Sequence, residues 1–217
     1  MTIKYIVIIM CWNANVSKNT FIFSTTPLVI CLYLKLISFQ DYICYQSFIT
    51  IQLIEYFLWT FLNNKKWNRI FSIIGYILIV TIPVIFMLNN INKYTKYILG
   101  LYVLYIFMIQ FMFPPTFHTS IAPNKHLEWE WIKLPIPIFL LWHFFMNIAA
   151  FISFYLNSYK NVNIPLLLFT TFIYLITLYS YYSSNTVGSM WCWIANIFSF
   201  YFYFLIIKKI NNEHLPI

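Results

Sequence analysis

The sequence predicts an all-α fold, a polytopic transmembrane helix bundle with about seven spans. Of the 217 residues, 62% are hydrophobic and only 8% are charged, whereas soluble domains carry about 25% charged residues. The mean hydropathy is +0.75. Apolar runs recur along the chain at about 20 residues, the length of helix that crosses the hydrocarbon core of a bilayer. We therefore expect the chain to lie mainly in lipid, as an integral, multi-pass membrane protein.

Seven apolar segments follow one another, each bounded by charged residues, prolines or asparagines. They are residues 21–39, 42–62, 70–88, 97–113, 135–156, 164–182 and 187–207. Lys35 interrupts the first segment, and its long stem is expected to reach the membrane surface. Pro83 is expected to kink the third. The predicted transmembrane domain is thus 21–209, preceded by a lead segment, 1–20, and followed by a tail, 210–217.

The one long connection, residues 114–134, carries Trp129 and Trp131 next to Glu128 and Glu130. Tryptophan beside charge at a helix boundary is typical of an anchor in the membrane interface, which is the favoured interpretation. A lid over a cavity is the alternative. Basic residues are divided almost evenly between the two ends of the predicted bundle, so the positive-inside rule does not orient it.

Charge and motifs exclude several classes. The net charge is +8, but the cations occur in ones and twos, which argues against a nucleic-acid partner. The four cysteines are far apart, without metal-ligand spacing, so neither a disulfide framework, a metal site nor a cofactor is predicted. Protease, hydrolase and P-loop motifs are missing from the sequence. The expected partners are membrane lipids and a small molecule or ion whose identity the sequence leaves open, as it does the oligomeric state.

Glu55 is the strongest candidate for a functional residue. An ionisable side chain near the bilayer centre costs at least about 2.5 kcal/mol, so it is expected to face the bundle interior. Spacings of three and four place Gln52, Glu55 and Trp59 on one helix face. The functional interpretations are a proton carrier, a cation ligand or a general acid/base. The alternative is a structural carboxyl group that joins helices by hydrogen bonds.

Two further spans carry polar residues at helical spacing. His143 and Asn147 lie one turn apart in the fifth span, and Ser189, Cys192 and Asn196 share one face of the seventh. Cys192 could act as a nucleophile only beside a base or cation that stabilises its thiolate. A buried, inert thiol is the alternative.

Three short motifs resemble those of an uncharacterised seven-helix membrane protein family of bacteria and large DNA viruses. They are Met10-Cys11-Trp12-Asn13-Ala14 with Ser17, Gln52-Leu-Ile-Glu55 with Trp59, and Ser189-Met-Trp191-Cys192-Trp193 with Ala195. The resemblance implies that translation starts at Met10. It also implies functional positions, and no biochemical activity comes with it. These positions are Cys11, Ser17, Glu55, Trp59, Ser189, Trp191 and Cys192.

Three functions stay open at this point. The first is a site around Glu55 that binds or passes a small cation, a proton or a polar molecule. The second is an intramembrane enzyme with Cys11 or Cys192 as nucleophile and Glu55 or His143 as base. The third is a structural protein, for instance of a viral membrane, whose buried polar residues only hold helices together.

Overall fold

The computed structural model describes residues 13–89, 91–155, 160–190 and 192–214. This part of the chain is mostly helical, so the all-α prediction is confirmed. Two short strands, β1 (Thr119–Ile121) and β2 (Leu127–Trp129), and a 3₁₀ turn (Glu130–Ile132) lie between the fourth and fifth helices. The helices are α1 (Ala14–Tyr33), α2 (Phe39–Thr60), α3 (Lys65–Leu88), α4 (Lys93–Met112), α5 (Ile136–Tyr155), α6 (Lys160–Tyr181), α7 (Val187–Met190) and α8 (Cys192–His214).

Helix α2 lies at the centre of one half of the bundle, because it packs against α1, α3 and α8. Helix α1 also contacts α8. Helix α3 links the two halves, since it contacts α2 on one side and α4 and α5 on the other, and α5 packs against α6. The exposed surface of α2 is accordingly small, and its middle is buried on almost every side.

Polar caps start the first four helices. Asn13, Asn64 and Asn92 each accept a hydrogen bond from a backbone N–H of the first turn. Ser38 does the same for α2 and forms a capping box with Asp41. Such caps satisfy N–H groups that have no partner within the helix, so these helices begin at these residues.

The predicted first span, 21–39, differs at both ends from the helix that the structure shows there. Helix α1 begins at Ala14 and ends before Lys35, which has a left-handed φ of 56°. The N–H of Leu36 donates to the carbonyl of Cys31 at 2.9 Å, which is the six-to-one bond of a Schellman motif. Lys35 therefore lies in the turn that ends the helix, and residue 39 already belongs to α2.

The predicted tail also differs from the structure. Helix α8 continues through Lys208 and Lys209 to His214, so most of 210–217 extends the helix. Lysine is a good helix former and is favoured near helix C-termini, where its charge meets the negative end of the helix dipole. Lys208 and Lys209 end the apolar segment, but they do not end the helix. Helix α3 likewise begins at Lys65, five residues before the predicted segment 70–88.

Two helices of the described chain, Lys65–Leu88 and Lys93–Met112, are long and apolar enough to cross a membrane. Length and composition alone support membrane association at these two helices. The apolar stretches Ile136–Ile152 and Thr171–Tyr181 are shorter.

The connection between α4 and α5 forms a β-hairpin. Strands β1 and β2 are antiparallel, with Thr119 opposite Trp129 and Ile121 opposite Leu127. Lys125 closes the loop with a φ of 67° and donates its N–H to the carbonyl of Ala122 at 2.8 Å. The hairpin contacts α3 through β1 and α7 through β2, so it covers one end of the bundle.

Candidate functional site

The buried face of α2 carries the residues that the sequence singled out. Glu55 is 0% exposed and Gln52, one turn earlier, is 1% exposed. Two turns before Gln52, the ring of Tyr45 packs edge-on against Phe202 of α8, with centroids 4.9 Å apart, and it also meets Phe86 of α3. The face therefore points between α3 and α8, and the carboxyl and amide groups lie inside the bundle as predicted.

Ser17 of α1 lies at the same height as Glu55. The Nε2 of Gln46 donates to the Oγ1 of Thr25 at 3.4 Å, which sets the register of the antiparallel helices α1 and α2. Glu55 lies nine residues beyond Gln46, and Ser17 lies eight residues before Thr25. At a rise of about 1.5 Å per residue, both are about 12 to 14 Å from that contact, in the same direction. Ser17 is fully buried, and its Oγ has no hydrogen-bond partner among the described residues.

The backbone of Cys192 reaches the same layer. The Oγ of Ser199 donates to the Oγ of Ser24 at 2.6 Å. Later in both helices, the Sγ of Cys31 donates to the carbonyl of Phe202 at 3.5 Å, so α1 and α8 run parallel. Cys192 lies seven residues before Ser199, just as Ser17 lies seven before Ser24. The start of α8 is thus level with Ser17 and Glu55.

Three of the positions implied by the family resemblance therefore share one layer of the bundle. Ser17, Glu55 and the backbone of Cys192 come from three different helices and lie far apart in sequence. The side chain of Cys192 is not described, and Cys11 and Trp191 lie outside the described residues. The nucleophile predicted for the enzyme hypothesis is accordingly not located, and that hypothesis stays a prediction.

Ser189 lies in α7, directly before this layer. It is fully buried, and its Oγ donates to the carbonyl of Thr186 at 3.2 Å. Thr186 follows the end of α6, where Asn185 has a left-handed φ of 54°. Ser189 thus stabilises the turn that leads into α8. Asn196, predicted to share its face, is half-buried on α8.

The interpretation of Trp129 and Trp131 as interfacial anchors is wrong. Both are 2% exposed, and their rings stack with centroids 4.7 Å apart and planes 14° from parallel. A β-carbon at Gly75 of α3 would lie 3.2 Å from the ring of Trp131 and also 3.2 Å from Ile54. Trp131 and Ile54, the residue before Glu55, therefore both pack beside Gly75 of α3.

A buried hydrogen-bond network holds the hairpin in that position, and the sequence did not reveal it. Asn68 of α3 pairs with the backbone of Thr119, donating from Nδ2 to the carbonyl at 2.8 Å and accepting at Oδ1 from the N–H at 3.0 Å. The Oγ1 of Thr119 accepts from Trp131 Nε1 at 3.1 Å and lies 2.9 Å from the Oγ of Ser72. Asn68 and Ser72 are one helical turn apart, and this spacing of two polar residues is the sequence signal that could have indicated the network.

His143 and Asn147 belong to a second polar cluster, between α5 and α6. The imidazole of His143 stacks on the ring of Tyr174 at 3.6 Å. Asn147 accepts from the Oγ1 of Thr171 at 2.6 Å and donates to the carbonyl of His143 at 3.0 Å. The ring contact with Tyr174 joins α5 to α6, whereas Glu55 lies on α2. His143 and Glu55, the two alternative bases of the enzyme hypothesis, thus lie on different helices, α5 and α2, and that hypothesis stays a prediction.

Trp59 lies one turn beyond Glu55 and is half-buried near the end of α2. Its indole Nε1 is buried and has no hydrogen-bond partner among the described residues. Gln52, Glu55 and Trp59 thus follow one another along α2, and Ser17 of α1 lies at the height of Glu55. Among the described residues, no three His, Cys, Asp or Glu side chains are grouped so that they could hold a metal ion.

No protein-family model, curated protein or solved structure matches the chain. The likeness to the seven-helix family stays a prediction from its motifs.

Proposed function

We propose that the chain is a multi-pass membrane protein of seven spans. In this proposal an internal site at Glu55 binds or passes a proton, a small monovalent cation or a polar molecule. The observation that carries the proposal is the complete burial of the Glu55 carboxyl group, with Gln52 beside it, on the central helix of an apolar bundle. Burying a carboxyl group is costly, and such groups in membrane proteins mark ion and proton paths.

Seven spans are supported by the outer surface of the bundle. Exposed apolar side chains recur at helical spacing on α4, as Leu101, Leu104, Met108 and Phe111, the last 90% exposed. A second row on α6 consists of Leu168, Phe172, Leu175 and Tyr179, the last 92% exposed. Soluble monomers rarely expose apolar patches of this extent. Lipid would cover them, and α1, α2, α3, α4, α5, α6 and α8 would be the seven spans.

The composition of the layer favours a ligand with a single charge. Glu55 supplies one carboxyl group, while Gln52 and Ser17 supply neutral oxygen atoms. Divalent cations prefer several carboxylates and six or more oxygens. A proton, a monovalent cation or a neutral polar molecule needs fewer negatively charged groups around it, so a site with one carboxyl group suits it better. Membership of the seven-helix family is part of the same proposal, because Ser17 and Glu55 are among its motif residues.

Ion movement in vesicles tests the function. Purified protein is reconstituted into lipid vesicles loaded with a pH-sensitive dye, and a potassium diffusion potential drives cation or proton entry. Flux is expected from the unchanged protein and should fall to the level of empty vesicles in Glu55→Gln, which keeps the shape and removes the charge. Glu130→Gln makes the same chemical change in the 3₁₀ turn that follows the hairpin and should retain the flux.

Two results would contradict the proposal. One is an undiminished flux in Glu55→Gln. The other is the absence both of flux and of any shift of the melting temperature with sodium, potassium, lithium or pH in the unchanged protein. In either case Glu55 holds helices together, and its replacement alters stability alone.

A further inference from the structure

A polar cleft of about 480 Å³ lies outside the Glu55 layer, at the end of the bundle that the hairpin covers. One wall is the turn after α6, and the other is the hairpin with the segment that follows it. Its volume is in the range of sites for small ligands. The residues that matter for its chemistry are Glu128, Lys133, Leu134, Tyr182, Ser183 and Asn185.

Hydrogen bonds fix the two walls against each other. The Nδ2 of Asn185 donates to Oε1 of Glu128 at 3.2 Å, and the hydroxyl of Tyr182 donates to the carbonyl of Leu134 at 3.2 Å. Asn124, in the hairpin loop, donates from Nδ2 to the Oγ of Ser184 in the same turn at 2.9 Å. All three bonds connect the turn after α6 to the hairpin or to the segment that follows it. The cleft is thus preorganised, and a ligand would not have to order it.

Charges of opposite sign border the cleft without neutralising each other. Lys133 is exposed and forms no ion pair with any described residue. Oε1 of Glu128 accepts its hydrogen bond from the neutral amide of Asn185. A ligand that carries both a cation and an anion could satisfy the two together, with the hydroxyl of Ser183, on the other wall of the cleft, as a further donor.

The cleft adjoins an apolar crevice. Leu134 lines the cleft and also lines a narrow crevice between α3, α4 and α5, whose walls include Ile106, Phe139 and Trp142. A charged ligand in the cleft would therefore have apolar surface beside it. This pairing of a polar cleft with an apolar neighbour suits an amphipathic ligand better than a free metabolite.

We propose that this cleft binds the headgroup of a zwitterionic phospholipid, with its amine at Glu128 and its phosphate at Lys133 and Ser183. The lipid as source rests on the membrane placement proposed above, since only there does the cleft lie at the level of headgroups. The cleft is separate from the Glu55 layer, so the two proposals can fail independently.

Native mass spectrometry of the full-length protein tests this assignment. The protein, released from detergent, is titrated with dioleoylphosphatidylethanolamine and with dioleoylphosphatidylglycerol, which lacks the amine. We expect the ethanolamine lipid to bind about tenfold more tightly, as for one hydrogen-bonded charge pair. Glu128→Gln should remove this preference, and Lys133→Gln should weaken the binding of both lipids.

Two matched variants serve as controls. Glu130→Gln and Lys66→Gln make the same charge changes at the same end of the bundle, outside the cleft, and should bind both lipids like the unchanged protein. Lys133 is exposed, so its variant folds even if Glu128→Gln does not. Equal binding of the two lipids, or loss of binding in the controls, would overturn the proposal. Free phosphoethanolamine that competes at the same concentration as the lipid would overturn the lipid assignment.

Discussion

Trp129 of the hairpin packs directly on Gly188 of α7, so closely that a β-carbon at Gly188 would overlap the indole ring. Gly188 needs no unusual backbone angle; it is required by this close approach. The contact joins the hairpin to the turn that begins the last helix, and together with Trp131 on Gly75 it fixes the end of the bundle above the Glu55 layer.

Gly188→Ala is expected to destabilise the protein, because the added methyl group must displace the ring of Trp129. Overpacking of this kind costs about 1 to 3 kcal/mol. The measurement is the melting temperature in detergent. Gly100→Ala is the matched control, since a β-carbon there meets no atom within 4 Å. That change should be neutral or slightly stabilising, because alanine favours helix. A Gly188→Ala variant as stable as Gly100→Ala would show that the close contact does not exist.

Asn68→Ala should release the hairpin. The substitution leaves the buried N–H and carbonyl of Thr119 without their partner, which costs about 1 to 3 kcal/mol for each such group. Limited proteolysis at the loop 122–126 should become faster, and the melting temperature should fall. Asn63→Ala removes an exposed amide from the preceding turn and should cleave like the unchanged protein. Equal protection of the loop in both variants would mean that other contacts hold the hairpin.

Ser24 and Ser199 offer a test of polar contacts between helices. A double-mutant cycle with Ser24→Ala and Ser199→Ala isolates the energy of their 2.6 Å hydrogen bond from packing. In a bilayer a coupling energy of about 0.6 kcal/mol is expected, with an upper range near 1.7 kcal/mol. The measurement is unfolding in mixed micelles. Strictly additive effects of the two changes would show that α1 and α8 do not meet through this pair.

The proposed seven spans make a sidedness prediction. In a background with all four cysteines replaced by alanine, a single cysteine at Asn63 or Ser183 should react with a membrane-impermeant thiol reagent from one side of sealed vesicles. A cysteine at Asn92, between α3 and α4, should react only from the other side. Labelling of all three positions from the same side would contradict the alternation of spans.

Several features followed from the sequence because they depend on local composition. Apolar runs of helical length predicted the helices, although the caps Ser38 and Asn92 start α2 and α4 a few residues before the predicted segments 42–62 and 97–113. The spacing of Gln52 and Glu55 placed both on one face, and their cost in an apolar environment predicted their burial. These inferences need no knowledge of distant contacts.

Only the tertiary structure decided the rest. Lys35 ends a helix through a left-handed turn, and hydropathy does not register backbone angles. The sequence predicted that Trp129 and Trp131 lie at the surface as anchors, but Gly188 and Gly75 leave space in which the two rings are buried. The level shared by Ser17, Glu55 and Cys192 depends on the register between helices, which is set by contacts between residues up to 175 positions apart. The sequence alone therefore determined which residues are costly to bury, and packing decided which of them meet.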